Sequence, residues 1–229
     1  APSQDQLMHQ ALVVRPHDAH VLFAAGRDAA LAGDDERAIA LWRDAFHRQR
    51  KYRRQILALV GSRIPAEGFI KHFQPQPDQL REVYRFYRDA QQVDSTKFMA
   101  GQLAQATEEK ANAATGAAAA KLWDEAHDYY RQLEDPSQAL VCIEKAVALD
   151  PLNYNYRASY AHQLLQTGNY DAAIAELRWC RQQRRDDDKV ERLWALAKRG
   201  PVLEVPPEEP VRSAVRPGSG EHTPATVPH

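Results

Sequence analysis

Nine histidines and two cysteines are the side chains of this sequence best suited to metal ligation or nucleophilic chemistry. His17 and His20 are three residues apart, but no third ligand lies near them. Cys142 and Cys180 form neither a CxxC pair nor a zinc-type spacing. The sequence has no GxSxG, no HExxH and no phosphate-binding glycine loop. We therefore expect no enzyme activity, no metal and no cofactor in this chain.

Composition excludes two further classes of function. The 229 residues carry a formal net charge of −1, whereas nucleic-acid binding by counterion displacement needs a basic face. The basic run 48–54 contains one aromatic residue, Tyr52, and lies where two predicted helices join. We interpret it as a solvated helix end rather than a nucleic-acid site, and contact with an acidic membrane surface stays open. No stretch of about 18 apolar residues is present, so we expect no membrane insertion.

The elements that position these side chains are helices. Helical periodicity continues to about residue 199, and no alternating strand pattern persists. Residues 200–229 hold half of the 14 prolines, which predicts a disordered tail.

An internal repeat organises the helical part. Ala139 and Ala173 are 34 residues apart and follow comparable turns, and Gly33 and Ala38 stand in the same relation upstream as Gly168 and Ala173. Each unit is predicted to be two antiparallel helices, with glycine in a left-handed conformation at the end of the first. A small residue on the second helix lets neighbouring helices approach closely.

With this repeat, the sequence resembles the tetratricopeptide repeat family. The similarity is carried by three sets of residues: Trp123, Ala126, Tyr130, Ala139, Ala146 and Pro151; Gly168, Tyr170 and Ala173; and Ala25, Gly26, Gly33, Ala38 and Ala45. The resemblance implies an all-α, right-handed solenoid of helical hairpins, with irregular middle repeats and a C-terminal capping helix. It also implies a scaffold that binds proteins.

The predicted organisation is a solenoid over 1–199 followed by the tail 200–229. Its parts are the second helix of a truncated repeat (1–16), a repeat (19–52), irregular repeats (53–119), repeats at 120–153 and 154–187, and a capping helix (188–199). The missing first helix predicts that the chain begins inside a longer array. Within this scheme Cys142 and Cys180 are inert core thiols, and His127 and His162 are solvated or groove-lining.

In this family the first helices line a concave groove, and the repeat phase predicts which residues face it. These are Phe23, Arg27, Arg85, Asp89, Asp124, Asp128, Arg131, Asn155, Ala158 and His162. Chaperone-binding members hold a C-terminal carboxylate with a Lys/Asn/Arg set, but Asp124 and Asp128 occupy positions where Lys or Asn would be needed. The acidic pair beside Arg131 instead favours a protein or peptide partner with basic character.

Two alternatives remain. The stretch 52–75, followed by 83–90, is similar to the repeat-bearing tails of bacterial O-antigen-ligase-type membrane proteins. The chain would then be a regulatory or scaffolding extension attached to a membrane enzyme, whereas a free-standing adaptor would be cytoplasmic. Arginine and alanine abundance suggests a bacterial source in either case. Homo-oligomerisation through an exposed end of the array is the other alternative.

Overall fold

The computed structural model describes residues 4–200, with side-chain surroundings from residue 6 onward. Apart from Gly200, the predicted tail 200–229 lies outside the described residues. The helices are α1 Gln4–Val14, α2 Ala19–Leu31, α3 Asp35–Arg48, α4 Arg50–Ile56, α5 Ala66–Phe73, α6 Leu80–Asp89, α7 Val93–Ala113, α8 Gly116–Gln132, α9 Pro136–Leu149, α10 Tyr154–Gln166, α11 Tyr170–Gln183 and α12 Asp188–Arg199. A π-helical segment, Leu57–Gly61, continues α4.

Consecutive helices pair along the chain. The hairpins include α2–α3, α8–α9 and α10–α11, and α7, α9 and α11 each also pack against the helix that follows them. The described residues contain helices and no strands. The predicted all-α solenoid of hairpins is therefore confirmed, and α12 is the predicted capping helix at its end. Because each hairpin contacts mainly its neighbours, the core runs along the array as three clusters.

The turn inside each hairpin has one repeated geometry. Gly33 and Gly168 have φ of 79° and 78°, as predicted. Gln91 and Glu134 take the same left-handed conformation at 56° and 58° after α6 and α8. In all four turns the next amide donates to a carbonyl five residues earlier, closing the helix end; the pairs are Asp34–Ala29, Gln92–Tyr87, Asp135–Tyr130 and Asn169–Leu164.

Small residues form the contacts between hairpins, as predicted. Ala38, Ala139 and Ala173 are all at most 1% exposed. Ala126 on α8 and Ala161 on α10 are equally buried. A methyl group at these positions lets two backbones approach where a longer side chain would hold them apart.

The middle of the chain is built differently. The helices α4, α5 and α6 are short, and buried aromatic rings of Phe46, Phe69, Phe73 and Tyr87 fill the space between them. The rings of Phe69 and Phe73 stack with centroids 4.4 Å apart. These are the irregular repeats of the predicted fold class.

One helix boundary differs from the sequence reading. The run 106–123, rich in alanine, predicts a lengthened first helix for the next hairpin. Its first half instead completes α7, which extends to Ala113. Ala114 and Thr115 are extended, and α8 starts afresh at Gly116, whose φ is 60°. Alanine and glutamate continue a helix equally well on either side, so only the extended pair decides where the break falls.

Candidate partner-binding groove

Every residue predicted to face the groove lies on an even-numbered helix, the first helix of its hairpin. The structure brings some of them together and leaves others apart. The residues on α8 and α10 share one cluster with a residue of α12. Those on α6 lie beside this cluster, and those on α2 line a separate cleft.

The central cluster joins α8, α10 and α12. Arg131 Nη1 lies 3.7 Å from Asp128 Oδ1 on the same helix. The positive charges of Arg131 and of Lys189 on α12 both lower the pKa of His162 on α10, after burial as the main cause. The same two charges act on His127 of α8. Side chains from three alternate helices therefore face a common space, which we call the acidic groove after its two aspartates.

Two carboxylates of the acidic groove are partly buried and lie near a further negative charge. Partial burial, followed by the neighbouring carboxylates of Asp128 and Glu125, raises the pKa of Asp124 to about 6. Burial also raises the pKa of Asp128, where Glu125 adds to the shift and Arg131 opposes it. Ionising both carboxylates is costly because like charges repel each other at short range. A cation bound beside them is therefore stabilised by both charges.

His127 lies beneath the groove and not in it, so the expectation of a solvated or groove-lining ring is wrong. The side chain is 1% exposed, and neither ring nitrogen has a hydrogen-bond partner. Asp128 Oδ1 stays 3.7 Å from Nδ1, which is too long for a hydrogen bond. Burial, followed by the charges of Arg131, His162 and Lys189, lowers the pKa of His127 to about 4, against a smaller opposing effect of Gln163. The ring is therefore neutral at pH 7.

A small cavity of about 420 Å³ opens between α8 and α10 at one end of the groove. Its lining combines charged and amide side chains: Arg131, Glu134, Asp135, Pro136, His162, Gln163 and Gln166. Gln163 is held in place because its Nε2 donates to the Pro136 carbonyl at 3.0 Å. The half-buried His162 is thus the predicted histidine that does reach the groove.

The α6 residues form a basic flank beside the acidic groove. Arg81 on α6 pairs with Glu125 on α8, and the Tyr129 hydroxyl donates to the same carboxylate at 3.0 Å. Arg85 is exposed and lines the shallow cleft between these helices, whereas Asp89 is paired with Arg88 at 2.9 Å. Within residues 6–200, no ion pair involves Arg85.

Phe23 and Arg27 do not join the groove. They line an apolar cleft of about 980 Å³ between α2, α3 and the π-helical segment. The Trp42 indole forms part of its wall and donates to the Phe23 carbonyl at 3.2 Å. Gly26 leaves room for that indole, since a β-carbon there would lie 2.4 Å from its Nε1.

Asn155 and Ala158 on α10 also lie outside the charged cluster. Asn155 is exposed in the first turn, where its amide donates to Asn153 Oδ1 at 3.1 Å. Ala158 is 6% exposed and belongs to the apolar core.

Sequence reasoning missed the partners that complete the groove. Lys189 lies on the capping helix α12. Arg81 lies one helical turn before Arg85 on α6, and Glu125 lies between Asp124 and Asp128 on α8. No residue of the capping helix is among the predicted groove residues, so Lys189 had no sequence signal. Glu125 and Arg81 were identifiable as charges on first helices, but their pairing requires the packing of α6 on α8.

The chemistry-bearing residues singled out in the sequence are otherwise inert. Cys142 and Cys180 are free, buried thiols, and burial raises the pKa of Cys142 to about 12 and of Cys180 to about 11. In the part of the chain that the structure describes, no three His, Cys, Asp or Glu side chains lie close enough to hold a metal ion. Across the same part of the chain, no helix combines the length and apolar character needed to cross a bilayer.

No protein-family model and no curated protein matches this chain. Solved structures with a similar fold include the Cut9–Hcn1 hetero-tetramer of the APC/C, with 15% identity, a TM-score of 0.40, and coverage of 83% of this chain and 38% of that chain. YrrB, described as a TPR protein with an unusual peptide-binding site, has 15% identity and a TM-score of 0.37, covering 83% of this chain and 90% of its own. MamA has 12% identity and a TM-score of 0.41, covering 80% and 81%.

The similarity of the chain to these structures is one of fold alone. The repeated turns and paired helices of the chain itself confirm the predicted all-α solenoid of helical hairpins. The weaker resemblance to O-antigen-ligase tails has no support from these comparisons and stays a prediction.

Proposed function

We propose that this chain is a non-enzymatic protein-binding module whose acidic groove holds a peptide segment with basic side chains. The observation that supports the proposal is the pair Asp124 and Asp128. Both lie on α8, and the pKa of each is raised by burial and by a neighbouring carboxylate. The charge of Asp124 acts on Tyr156 of α10, and the charge of Lys189 on α12 acts on Asp128. A lysine or arginine placed between the two aspartates would relieve their repulsion, because each opposite charge stabilises the ionised carboxylates.

The test is binding of a fluorescein-labelled peptide that contains two adjacent arginines, measured by anisotropy at low salt. Changing both carboxylates to amides, Asp124→Asn with Asp128→Asn, keeps the side-chain shape and removes the charge. We expect at least tenfold weaker binding, equivalent to about 1.4 kcal/mol. A matched control removes two exposed carboxylates from second helices, Glu109→Gln on α7 with Glu144→Gln on α9.

The control variant should bind as tightly as the unmodified chain. Equal binding by all three proteins would overturn the assignment of the acidic groove. Circular dichroism melts of the three proteins separate loss of the site from loss of the fold, since surface substitutions away from packed contacts usually change stability by less than about 0.5 kcal/mol.

The proposal also predicts a pH dependence of binding. The pKa of Asp124 is about 6 in the free protein, and a bound cation favours the ionised form. Binding therefore releases a proton near this pKa, so affinity should rise as the pH increases through about 6. Isothermal titration in two buffers of different ionisation enthalpy at pH 6 measures the released proton directly. A proton count of zero would contradict a role for Asp124.

A further inference from the structure

We infer that the apolar cleft between α2, α3 and the π-helical segment binds a free fatty acid as its carboxylate. This site is separate from the acidic groove, and the inference does not rest on the proposed function. It is carried by the size and lining of the cleft, by the contacts that fix its wall, and by two arginines among its lining residues.

The cleft has the size and character of a small-molecule site. Its volume is about 980 Å³, at the upper end of the range of about 300–1,000 Å³ found for ligand pockets. Of the fourteen described residues that line it, ten are apolar, and the large ones include Phe23, Leu31, Ile39, Trp42, Leu59 and Ile64. An alkyl chain bound there is removed from water, which is the main driving force for binding an apolar ligand.

A cavity at the equivalent place further along the array has a different lining. Both spaces are bounded by the end of a first helix, the start of its second helix and the end of the next first helix. Between α8, α9 and α10 the space is about 420 Å³, and its lining is polar apart from Pro136. There Gln163 Nε2 donates to the Pro136 carbonyl and bridges α10 to α9. The cleft beside α2 is therefore larger, and it suits a ligand of different chemistry.

Two walls of the cleft are fixed by contacts within the chain. Trp42 is 7% exposed, and its indole Nε1 donates to the Phe23 carbonyl at 3.2 Å. The π-helical segment supplies another wall with Leu59 and Val60. Isolated π-helical turns occur frequently at functional sites. A cleft that is already shaped loses little conformational entropy when a ligand binds.

Two arginines give the cleft a preference for an anionic head group. Arg27 on α2 and Arg63 after the π-helical segment are exposed and line the cleft. Within residues 6–200, neither guanidinium group forms an ion pair. The third charged lining residue, Asp35 in the first turn of α3, opposes an anion. Charged residues nearby in the sequence do not line the cleft: Asp28, Asp34, Glu36, Arg37 and Glu67.

The small number of hydrogen-bonding groups in the cleft favours an alkyl chain over an extended peptide. Each residue of an extended peptide brings an amide donor and a carbonyl acceptor, and burying these without partners is costly. Among the described lining residues, only Gln55 and the three charged ones carry polar side-chain groups. A fatty acid is polar at one end only, where a guanidinium group can donate charge-assisted hydrogen bonds to the carboxylate.

The first experiment is a calorimetric titration of the full chain with dodecanoate below its micelle-forming concentration. We expect one binding site per chain. Decanoate, which is two methylenes shorter, should bind at least tenfold more weakly, because each buried methylene changes the binding constant by about a factor of four. Dodecyltrimethylammonium, with the same chain and the opposite charge, should also bind at least tenfold more weakly than dodecanoate.

Filling the cleft tests its position. Ala58 is exposed and lines the cleft, so Ala58→Phe occupies the space of the ligand without entering the core. This variant should lose dodecanoate binding. Ala118→Phe makes the same change at an exposed position of α8 and should bind as tightly as the unmodified chain.

Fluorescence gives a second measure of position. Bromine at the end of the chain in 12-bromododecanoate quenches a tryptophan that it contacts, and Trp42 lies in the cleft wall. The other tryptophans lie on α8, α11 and α12, outside the lining: Trp123, Trp179 and Trp194. Saturable quenching should therefore occur in the unmodified chain and be lost in Trp42→Phe.

Removing the two lining cations tests the head group. Arg27→Gln with Arg63→Gln should weaken dodecanoate binding at least tenfold and leave dodecyltrimethylammonium binding no weaker. The matched control, Arg85→Gln with Arg178→Gln, removes two exposed arginines from α6 and α11 and should leave dodecanoate binding unchanged. Asp35→Asn should tighten dodecanoate binding. Circular dichroism melts show whether each variant keeps its fold.

Four results would overturn the inference: no saturable binding of dodecanoate, undiminished binding by folded Ala58→Phe, equal weakening by the two arginine pairs, or binding of the trimethylammonium compound as tight as that of dodecanoate. Light scattering tests a different occupant of the cleft. A doubled mass that returns to one chain in Ala58→Phe would assign the cleft to a second copy of this protein.

Discussion

Two regions of this solenoid reach the same stacked arrangement with different side chains. In the hairpins α8–α9 and α10–α11, which we call the regular hairpins, the buried contacts are made largely by alanines such as Ala126, Ala146 and Ala161. In residues 46–90, which we call the aromatic segment, short helices leave wider gaps that rings of Phe46, Phe69 and Tyr87 fill. Regular spacing thus depends on small residues, and irregular spacing on large ones.

The two regions also differ in the sign of their charge. Residues 46–90 contain ten Lys and Arg and four Asp and Glu, whereas the regular hairpins, residues 116–183, contain six and nine. A net charge near zero for the whole chain hides this separation. The basic aromatic segment and the acidic regular hairpins are neighbours in the array. They meet at the ion pair between Arg81 and Glu125. The following predictions test the comparison, from the largest effect to the smallest.

Truncating a central ring should be the most damaging change. Phe69 is fully buried and packs against Phe46, Phe73 and Tyr87. Phe69→Ala should lower the free energy of unfolding by about 3–5 kcal/mol, because the cavity cannot be filled by the stacked neighbours. Urea denaturation followed by circular dichroism measures the loss. Phe23→Ala, at a partly exposed ring, should cost less than half as much, and equal costs would contradict the aromatic core.

Replacing the orphaned histidine of the regular hairpins should stabilise the chain in acid. His127 is neutral and unpaired when folded, with a pKa of about 4, against about 6.5 when unfolded. The folded chain therefore loses stability as the pH falls from about 6.5 to 4, by up to about 3 kcal/mol. His127→Leu removes this loss and should be neutral or stabilising at pH 7.

Thermal melts between pH 4 and 7 should therefore show the two proteins diverging as the pH falls. The raised pKa of Asp124 acts in the opposite direction over about pH 4–6, but both proteins share it. His72→Leu, at an exposed histidine on α5, is the control and should follow the unmodified chain. Parallel curves for all three proteins would show that His127 is satisfied in solution.

Enlarging a contact alanine should disturb the regular hairpins. Ala126 has no exposed surface and packs with Trp123, Cys142 and Ile143. Ala126→Leu should cost about 1–3 kcal/mol through overpacking. The same change at Ala118, which is exposed on α8, should alter stability by less than about 0.5 kcal/mol. Similar effects at both positions in urea titrations would mean that close approach does not govern this region.

The smallest effect should come from the charge network of the aromatic segment. Glu82 accepts ion pairs from Arg53 at 2.9 Å, Arg54 at 3.3 Å and Arg50 at 3.7 Å. Glu82→Gln leaves three guanidinium groups without their shared partner and should cost about 1 kcal/mol at low salt. The cost should shrink when 0.5 M salt screens the repulsion. Glu67→Gln, at an exposed position, provides the control, and a salt-independent cost would point to packing instead.

The fold was predictable from the sequence where local chemistry repeats. Gly33 and Gly168 indicated the turns because glycine adopts positive φ without strain. Gln91 and Glu134 adopt the same conformation, but their residue types do not predict a positive φ. The groove was predictable only in part. The repeat phase found Asp124, Asp128, Arg131 and His162. It also placed Phe23 and Arg27 on the same surface, whereas these two residues line a separate cleft beside the π-helical segment.

The sequence by itself determined a run of helical hairpins, because turn residues and small contact residues act over a few positions and recur with the repeat. The tertiary structure alone decided which charges meet. Arg131, His162 and Lys189 are far apart along the chain, and the charges of Arg131 and Lys189 act on the pKa of His162 only because α8, α10 and α12 pack together. Electrostatic effects depend on distance and burial rather than on spacing in the sequence. The acidic groove is therefore a property of the stacked array, whereas each hairpin is a property of its own residues.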